Sequence, residues 1–506
     1  MKPEDLGTYY ESILEKEVRK EGGVYYTPPL IVEYMVANSV GIFLKGKKPA
    51  EVTQIKIVDT ACGGGVFLLG AYQFLLDWYE KHYGKLTLRQ RGEILIDHIF
   101  GVDIDPLAVE ITKYGLAMKY LEGKDFSLDL DNNIRCGNSL VDTEFHWQRE
   151  FPHVFKQGGF DIVIGNPPYG AKYSDQHKKY FLEHYETAQT IKNTQKGSLD
   201  TFALFIEKGH RLCKTIGYLH FIIPISVTSS DSMTGVHRFL EKSCSLIKVS
   251  SYAVRPQPVF ENSVVNTSIL FCKKDGKQNE QILATKMYRK SKDFDLEYLF
   301  KHLRFIDVKD VKLRGRYPKI SLPMEKRILK KVLSQPVKIK DIVQESGSPI
   351  YYRTTGGRYF KVITNYSTGS TKENSICFNS KIRDAVGAVL SSNLFFWFYQ
   401  VFSNNLDLKM YEIESFGFPY IKFDSQIIGK IRKLYGVYLH DIERNAMIKR
   451  TERYANIDSF KEYQIGKSKH LIDKIDDIIC PLYGLTQKET DFIKNYEIKY
   501  RLSDNS

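Results

Sequence analysis

"IKIVDTACGGGVFLLGAYQFLLDWYE", residues 55–80, decides how the rest of the chain is read. Ile55, Ile57 and Val58 make a short apolar run that ends on Asp59, the pattern of a buried strand. Three glycines follow at 63–65, and from Val66 the apolar residues recur at helical spacing. Strand, glycine turn and helix form the repeating unit of a parallel sheet. Glycine lets the backbone turn tightly and come close to a ligand, and a helix start offers unpaired amide donors. The spacing D-x-A-C-G-G-G is not the GxGxxG dinucleotide pattern.

The unit repeats outward from there. "HIFGVDI" (98–104) is a second strand, followed by a helix from Pro106 to about Glu122. "NIRCGNS" (133–139) and "FDIVIG" (160–165) are the third and fourth strands, and a helix around Leu199–Cys213 leads into "GYLHFIIP" (217–224). "HRFLEKSCSLIKVSSYA" and "NTSILFCKK" add a helix and two strands. This alternation predicts an α/β, doubly wound, Rossmann-like sheet over residues 1–280, with ligands at the carboxyl ends of its strands. Alternation stops after about residue 280. Residues 281–420 read as a separate mixed domain, and 421–506 as helices, since "SQIIGKIRKLYGVYLHDIE" and "SKHLIDKIDDIICPLYG" place apolar residues three and four apart.

Charge is distributed unevenly. Lys plus Arg minus Asp plus Glu is −6 over 1–150, +5 over 151–280 and +12 over 281–380, out of +13 for the chain. A basic segment beside a near-neutral body is the footprint of a polyanion binder. Arg314 and Arg316, in "VKLRGRYPKI", are candidate phosphate contacts. Seven cysteines stand singly without a CxxC pair, so neither a disulfide framework nor a zinc site is expected. The absence of a bilayer-length apolar run argues for a cytoplasmic protein away from membranes.

Three stretches compose a cofactor pocket. Asp59, Ala61, Cys62 and Gly63 belong to the glycine loop. Asp103 ends the second strand, where an acid can take both hydroxyls of a ribose. Ile104 can pack on a purine face, and Asn138 in "CGNSL" can read an adenine edge. Together they describe a site for an adenosine-containing ligand other than a dinucleotide.

In this order "DTACGGG", "GVDIDP", "CGNSL" and "IGNPPYG" resemble the motifs of S-adenosylmethionine-dependent DNA adenine-N6 methyltransferases. "GGVYYTPPLIVEYMV" (22–36) resembles the motif that precedes the glycine loop in their gamma class, and the whole is similar to the methyltransferase portion of type IIG restriction-modification enzymes. Two late stretches, 391–420 and 472–493, add to the likeness. The resemblance implies that Tyr25, Thr27 and Pro28 close over the methionine end of S-adenosylmethionine, and that Asn138 stands where many relatives carry an acid. It implies a target-recognition domain at 281–420, double-stranded DNA as partner, and an aromatic ring, here Phe260, against a flipped base.

Adenine's amino nitrogen is a weak nucleophile because its lone pair is delocalised into the ring. Two acceptors on its hydrogens restore nucleophilicity, and the Asn166 amide oxygen and Pro167 carbonyl are the candidates. Pro167 and Pro168 hold them stiffly, and Tyr169 offers a stacking face for the extruded base. Neither a metal nor a covalent enzyme intermediate is called for. Three functions follow: a methyltransferase acting alone or with a separate restriction endonuclease or other defence-system subunit, a bifunctional restriction-modification enzyme, or an inactive DNA-recognition subunit. Only 21 residues precede the GGVYY motif, which favours the nuclease-free form. The tail triplet Glu497-Ile498-Lys499, with Asp491 before it, lacks the strands of a nuclease site.

Overall fold

The computed structural model describes Pro3, Leu6 and residues 27–52, 54–121, 128–260, 265–355, 360–450 and 459–502. Tyr25 lies outside these residues. The chain divides into two compact units, Met1–Tyr317 and Pro318–Ser506.

The first unit is built on one nine-stranded sheet, ordered β3-β2-β1-β4-β5-β7-β6-β8-β9. Its first five strands are β1 (Ile57–Asp59), β2 (Ile99–Asp103), β3 (Ile134–Cys136), β4 (Phe160–Gly165) and β5 (Cys213–Pro224). All five run parallel, with Val58 opposite Phe100 on one side and Val163 on the other. Helices return the chain between them. α1 (Pro29–Ala37) precedes the sheet, α2 (Val66–Tyr83) joins β1 to the β2 region, α3 (Pro106–Leu121) follows β2, and α4 (Thr201–Leu212) precedes β5. β1 and β4 are fully buried because helices cover both faces. The order reverses between β1 and β4, so the open crevice of the doubly wound sheet lies there.

The sheet is mixed beyond β5. β7 (Thr267–Lys274) lies antiparallel between β5 and β6 (Cys244–Ala253). No helix separates β6 from β7 among the described residues, so the chain turns back instead of crossing over. The sheet also runs past residue 280. β8 (Gln281–Arg289) pairs in parallel with β6, and β9 (Ile306–Asp307) pairs with β8. The structural boundary therefore falls at 317/318, because strand pairing holds residues 281–317 in the first unit.

The second unit combines helices with small antiparallel sheets. β11 (Ser348–Arg353) is central, flanked by β12 (Ile363–Thr364) and β13 (Glu373–Phe378), while β10 (Val337–Lys338) pairs with β14 (Gly417–Phe418). The helical readings of the tail hold: helices span Ser425–Arg444 and Lys469–Leu482. Asp476, buried in the latter, accepts the Asn393 and Leu394 backbone N–H groups at the start of the helix Asn393–Phe402. Among the described residues no single helix is long and apolar enough to cross a membrane. Arg383–Ser391 and Asn393–Phe402 are apolar together, but they bend by 62° and are buried in the unit.

Candidate active site

β1 delivers Asp59 to the crevice, 2% exposed, with Oδ1 accepting the Ala61 N–H at 3.0 Å. Burial pushes this carboxyl from 3.8 up to about 8, with nearby Asp103 adding to the rise. The loop beyond is pinned from both sides. The Cys62 N–H donates to the Val102 carbonyl at 3.0 Å, and the Thr112 hydroxyl on α3 donates to the Gly63 carbonyl at 2.7 Å. Gly65 enters α2 with φ +80°, and a Cβ there would lie 2.8 Å from Thr112 Oγ1, so glycine is required twice over.

Asp103, at the end of β2, accepts the Gly63 N–H at 2.8 Å through Oδ2 and the Asp105 N–H at 2.9 Å through Oδ1. Burial raises its pKa, against the pull of these backbone bonds. Beside it Ile104 is 69% exposed, an apolar side chain standing open at a strand end. Asn138 follows β3. The Gly137 N–H donates to the Asp103 carbonyl at 2.8 Å, and the Ser139 hydroxyl donates to the Thr60 carbonyl at 2.6 Å. The Asn138 backbone is thereby tied on one side to the second-strand acid and on the other to the glycine loop.

β4 ends on Gly165, and the turn Asn166-Pro167-Pro168-Tyr169 leaves it beside the glycine loop. A Cβ at Gly165 would stand 2.5 Å from Asp59 Oδ1. The Asn166 Nδ2 donates to Thr27 Oγ1 at 3.1 Å, and its Oδ1 accepts from the Tyr169 hydroxyl at 2.5 Å. The same hydroxyl lies 3.0 Å from the Ile222 carbonyl on β5. It carries one hydrogen, which these two acceptors share. The Tyr169 ring meets Phe202 edge-on, at 6.4 Å between centroids. Thr27, read as a cofactor contact, thus also touches the NPPY amide, a link across 139 residues that no local pattern announces. Thr27 and Pro28 directly precede α1, whose first residue is Pro29.

Two expected sites are placed differently. Phe260 is 1% exposed within the core cluster that holds Ile31, Tyr252 and Ile269, so its ring packs in this state and offers no face. Arg316 is corrected from a phosphate contact to a buried structural residue. It is 0% exposed, paired with Asp231 and donating from Nε to the Ser229 carbonyl at 3.1 Å. Arg314 is exposed at the tip of the tight turn Leu313–Arg316, with φ +49°. Sequence reading missed Glu144, which accepts from Asn138, and His177, which bonds Glu144; both lie in no motif. Among the described residues no group of three or more His, Cys, Asp or Glu could hold a metal ion.

A doubly wound sheet with a glycine loop, a second-strand acid and a proline turn at the switch point has the architecture of a Rossmann-like methyltransferase sheet. Residues 97–260 match the model of the Eco57I restriction-modification methylase family. The chain is 30% identical over 408 residues to the Escherichia coli type II restriction enzyme and methyltransferase RM.Eco57I, covering 70% of this chain and 39% of that protein. It is 22% identical over 492 residues to a putative type II restriction enzyme and methyltransferase of Methanocaldococcus jannaschii, covering 61% of this chain and 40% of that protein. The chain thus spans about two fifths of the curated relatives it matches. Its fold is similar to that of the type IIL restriction-modification enzyme MmeI solved in complex with DNA. The TM-score is 0.61 at 14% identity, over 99% of this chain and 82% of that one.

Proposed function

We propose that this chain is a site-specific DNA methyltransferase that modifies the N6 amino group of adenine, with S-adenosylmethionine as methyl donor. The observation that carries this reading is the close approach of Gly165, from which the Asn166–Tyr169 turn springs, to Asp59 of the glycine loop at the switch point of the sheet. The residues present fit the cofactor. Asp103 supplies acceptors for ribose hydroxyls, exposed Ile104 supplies an apolar plate for adenine, and Asn138 supplies amide groups for its edge. Ala61, Cys62 and Gly63 would line the loop, with Thr27 and Pro28 over the methionine end. When bound, S-adenosylmethionine supplies an activated methyl group.

The chain's own part is to bind, orient and polarise. Asn166 Oδ1 and the Pro167 carbonyl accept from the target amino group, drawing its lone pair out of conjugation. The two prolines keep these acceptors in place, so that little ordering remains when the base arrives. Tyr169 supports the extruded base once its hydroxyl leaves Asn166. Extrusion costs a few kcal/mol, which base stacking and phosphate contacts from the basic 281–380 segment offset. The substrate is double-stranded DNA in the cytoplasm. The restriction-modification names of the relatives support a defence setting, in which a nuclease acts from another subunit or from elsewhere in the same protein.

Incubation of DNA with the protein and methyl-labelled S-adenosylmethionine tests the reading. Label appears as N6-methyladenine at one sequence, and Asn166→Ala abolishes it while cofactor binding persists. Failure of label to enter any DNA, or normal turnover in Asn166→Ala, refutes the assignment. Specific cleavage on adding magnesium assigns a nuclease to the same chain.

A further inference from the structure

Asn138 carries an amide whose two ends look alike in shape but not in hydrogen bonding. Its Nδ2 donates to Glu144 Oε2 at 2.7 Å, and its Oδ1 accepts the Leu140 backbone N–H at 3.2 Å. An ionised carboxylate only accepts, and a backbone N–H only donates. Both neighbours therefore impose the same orientation, and the amide cannot turn over without breaking two bonds. Leu140 uses one lone pair of Oδ1, leaving a second acceptor position on that oxygen.

Glu144 is itself held. His177 Nε2 lies 2.7 Å from Glu144 Oε1, so the imidazole carries its proton on Nε2. His177 sits in the first turn of the helix Asp175–His184, where its backbone N–H donates to the Ser174 hydroxyl at 3.2 Å. The bond from His177, joined by that from Asn138, holds the Glu144 carboxyl below its ordinary range, so it stays an obligate acceptor at neutral pH.

We propose that Glu144, steadied by His177, is a positioning residue for cofactor selection. It keeps the Asn138 amide oxygen available to a 6-amino group, favouring a 6-aminopurine cofactor over a 6-oxopurine one. The inference rests on the reading that Asn138 meets the cofactor's adenine. The same geometry accounts for an amide at 138. A carboxylate there would face Glu144 at hydrogen-bond distance, and two such groups resist joint ionisation.

The test measures calorimetric affinities of the full chain for S-adenosylhomocysteine and for its analogue with hypoxanthine in place of adenine. The native chain prefers adenine by about tenfold, since the oxo analogue leaves an acceptor facing an acceptor. Glu144→Gln loses most of that preference, because glutamine can donate as well as accept. Asn138→Asp binds S-adenosylhomocysteine about tenfold more weakly through carboxylate repulsion. The double variant Asn138→Asp with Glu144→Gln returns to within about threefold of native, because the glutamine amide now donates to the aspartate. A double variant as weak as the two losses multiplied overturns the role of Glu144. Asn138→Ala separates the two levels. If it keeps native affinity and preference, Asn138 is not at the adenine and the underlying reading falls as well. If it loses the preference while the other variants merely multiply, only the role of Glu144 falls.

Discussion

Gly165→Ala measures how closely the proposed catalytic turn is set against the glycine loop. The added Cβ would lie 2.5 Å from Asp59 Oδ1, 2.8 Å from Cγ and 2.9 Å from Oδ2, where 3.4 Å or more is ordinary contact. The shortfall is about 0.9 Å. Asp59 cannot retreat, being 2% exposed and bonded to the Ala61 N–H. The displacement therefore falls on the turn that carries Asn166. A methyl group forced into a packed site costs about 1–3 kcal/mol, which lowers the melting temperature by several degrees. A misplacement near 1 Å at a reacting group costs roughly a hundredfold in rate. The expected outcome is kcat down by about that factor with the melting temperature only modestly lower, and the melting temperature, not kcat, recovering in part when Asp59→Ala removes the obstacle in the same chain. Methylation rates and thermal melts of the single and double variants check this. A Gly165→Ala enzyme with native kcat would show that the turn is free to move and that its position against Asp59 does not matter.

Three further outcomes follow from the same structure. Thr27→Val removes the hydroxyl at 3.1 Å from Asn166 Nδ2 and lowers kcat by about tenfold, while Thr27→Ser restores it; equal rates for both variants would detach Thr27 from the catalytic amide. Arg316→Ala lowers the melting temperature and leaves the salt slope of DNA binding unchanged, whereas Arg314→Ala flattens the slope without loss of stability; a native melting temperature for Arg316→Ala refutes its structural role. Burial pushes Asp59 up to about 8, so the folded state keeps a proton that the unfolded chain releases near 3.8. Its stabilising effect is present at low pH and is lost as pH rises through about 8. Relative to Asp59→Asn, the native chain loses stability between pH 5 and 8, and a constant gap in thermal melts across that range would be contrary evidence.

The parallel half of the sheet was legible because each of its strands ends in punctuation: Asp59 before three glycines, Asp103 before Asp105-Pro106, Gly165 before two prolines. Those breaks are local, and so are the signals. The direction of β7 was not legible, since an apolar run such as "SILFC" reads the same in either sense and only its neighbours β5 and β6 set it. Arg316 misled for a related reason. A cation between turn residues looks solvated until Asp231, 85 residues earlier, is found against it. Glu144 lies in no motif although it is near Asn138 in sequence, and His177 escaped notice because its meaning exists only once the helix at Asp175–His184 brings it to Glu144. For β7, Arg316 and His177 the deciding partner is remote along the chain, while the motif residues carry their meaning in their immediate sequence.

Under the proposed assignment, the bond between the Tyr169 hydroxyl and Asn166 Oδ1 bears on which base can enter. An empty catalytic amide would sit solvated and would shed water for any visitor. Here it already has a partner, so an arriving base must trade places with an internal donor. A base that brings an N–H to that oxygen makes the exchange nearly even. One that brings a carbonyl leaves the amide oxygen stranded, at about 1–3 kcal/mol. Under the proposed assignment the tyrosine acts as a doorkeeper, rejecting oxo-edged bases before any chemistry begins and returning to its post when they leave.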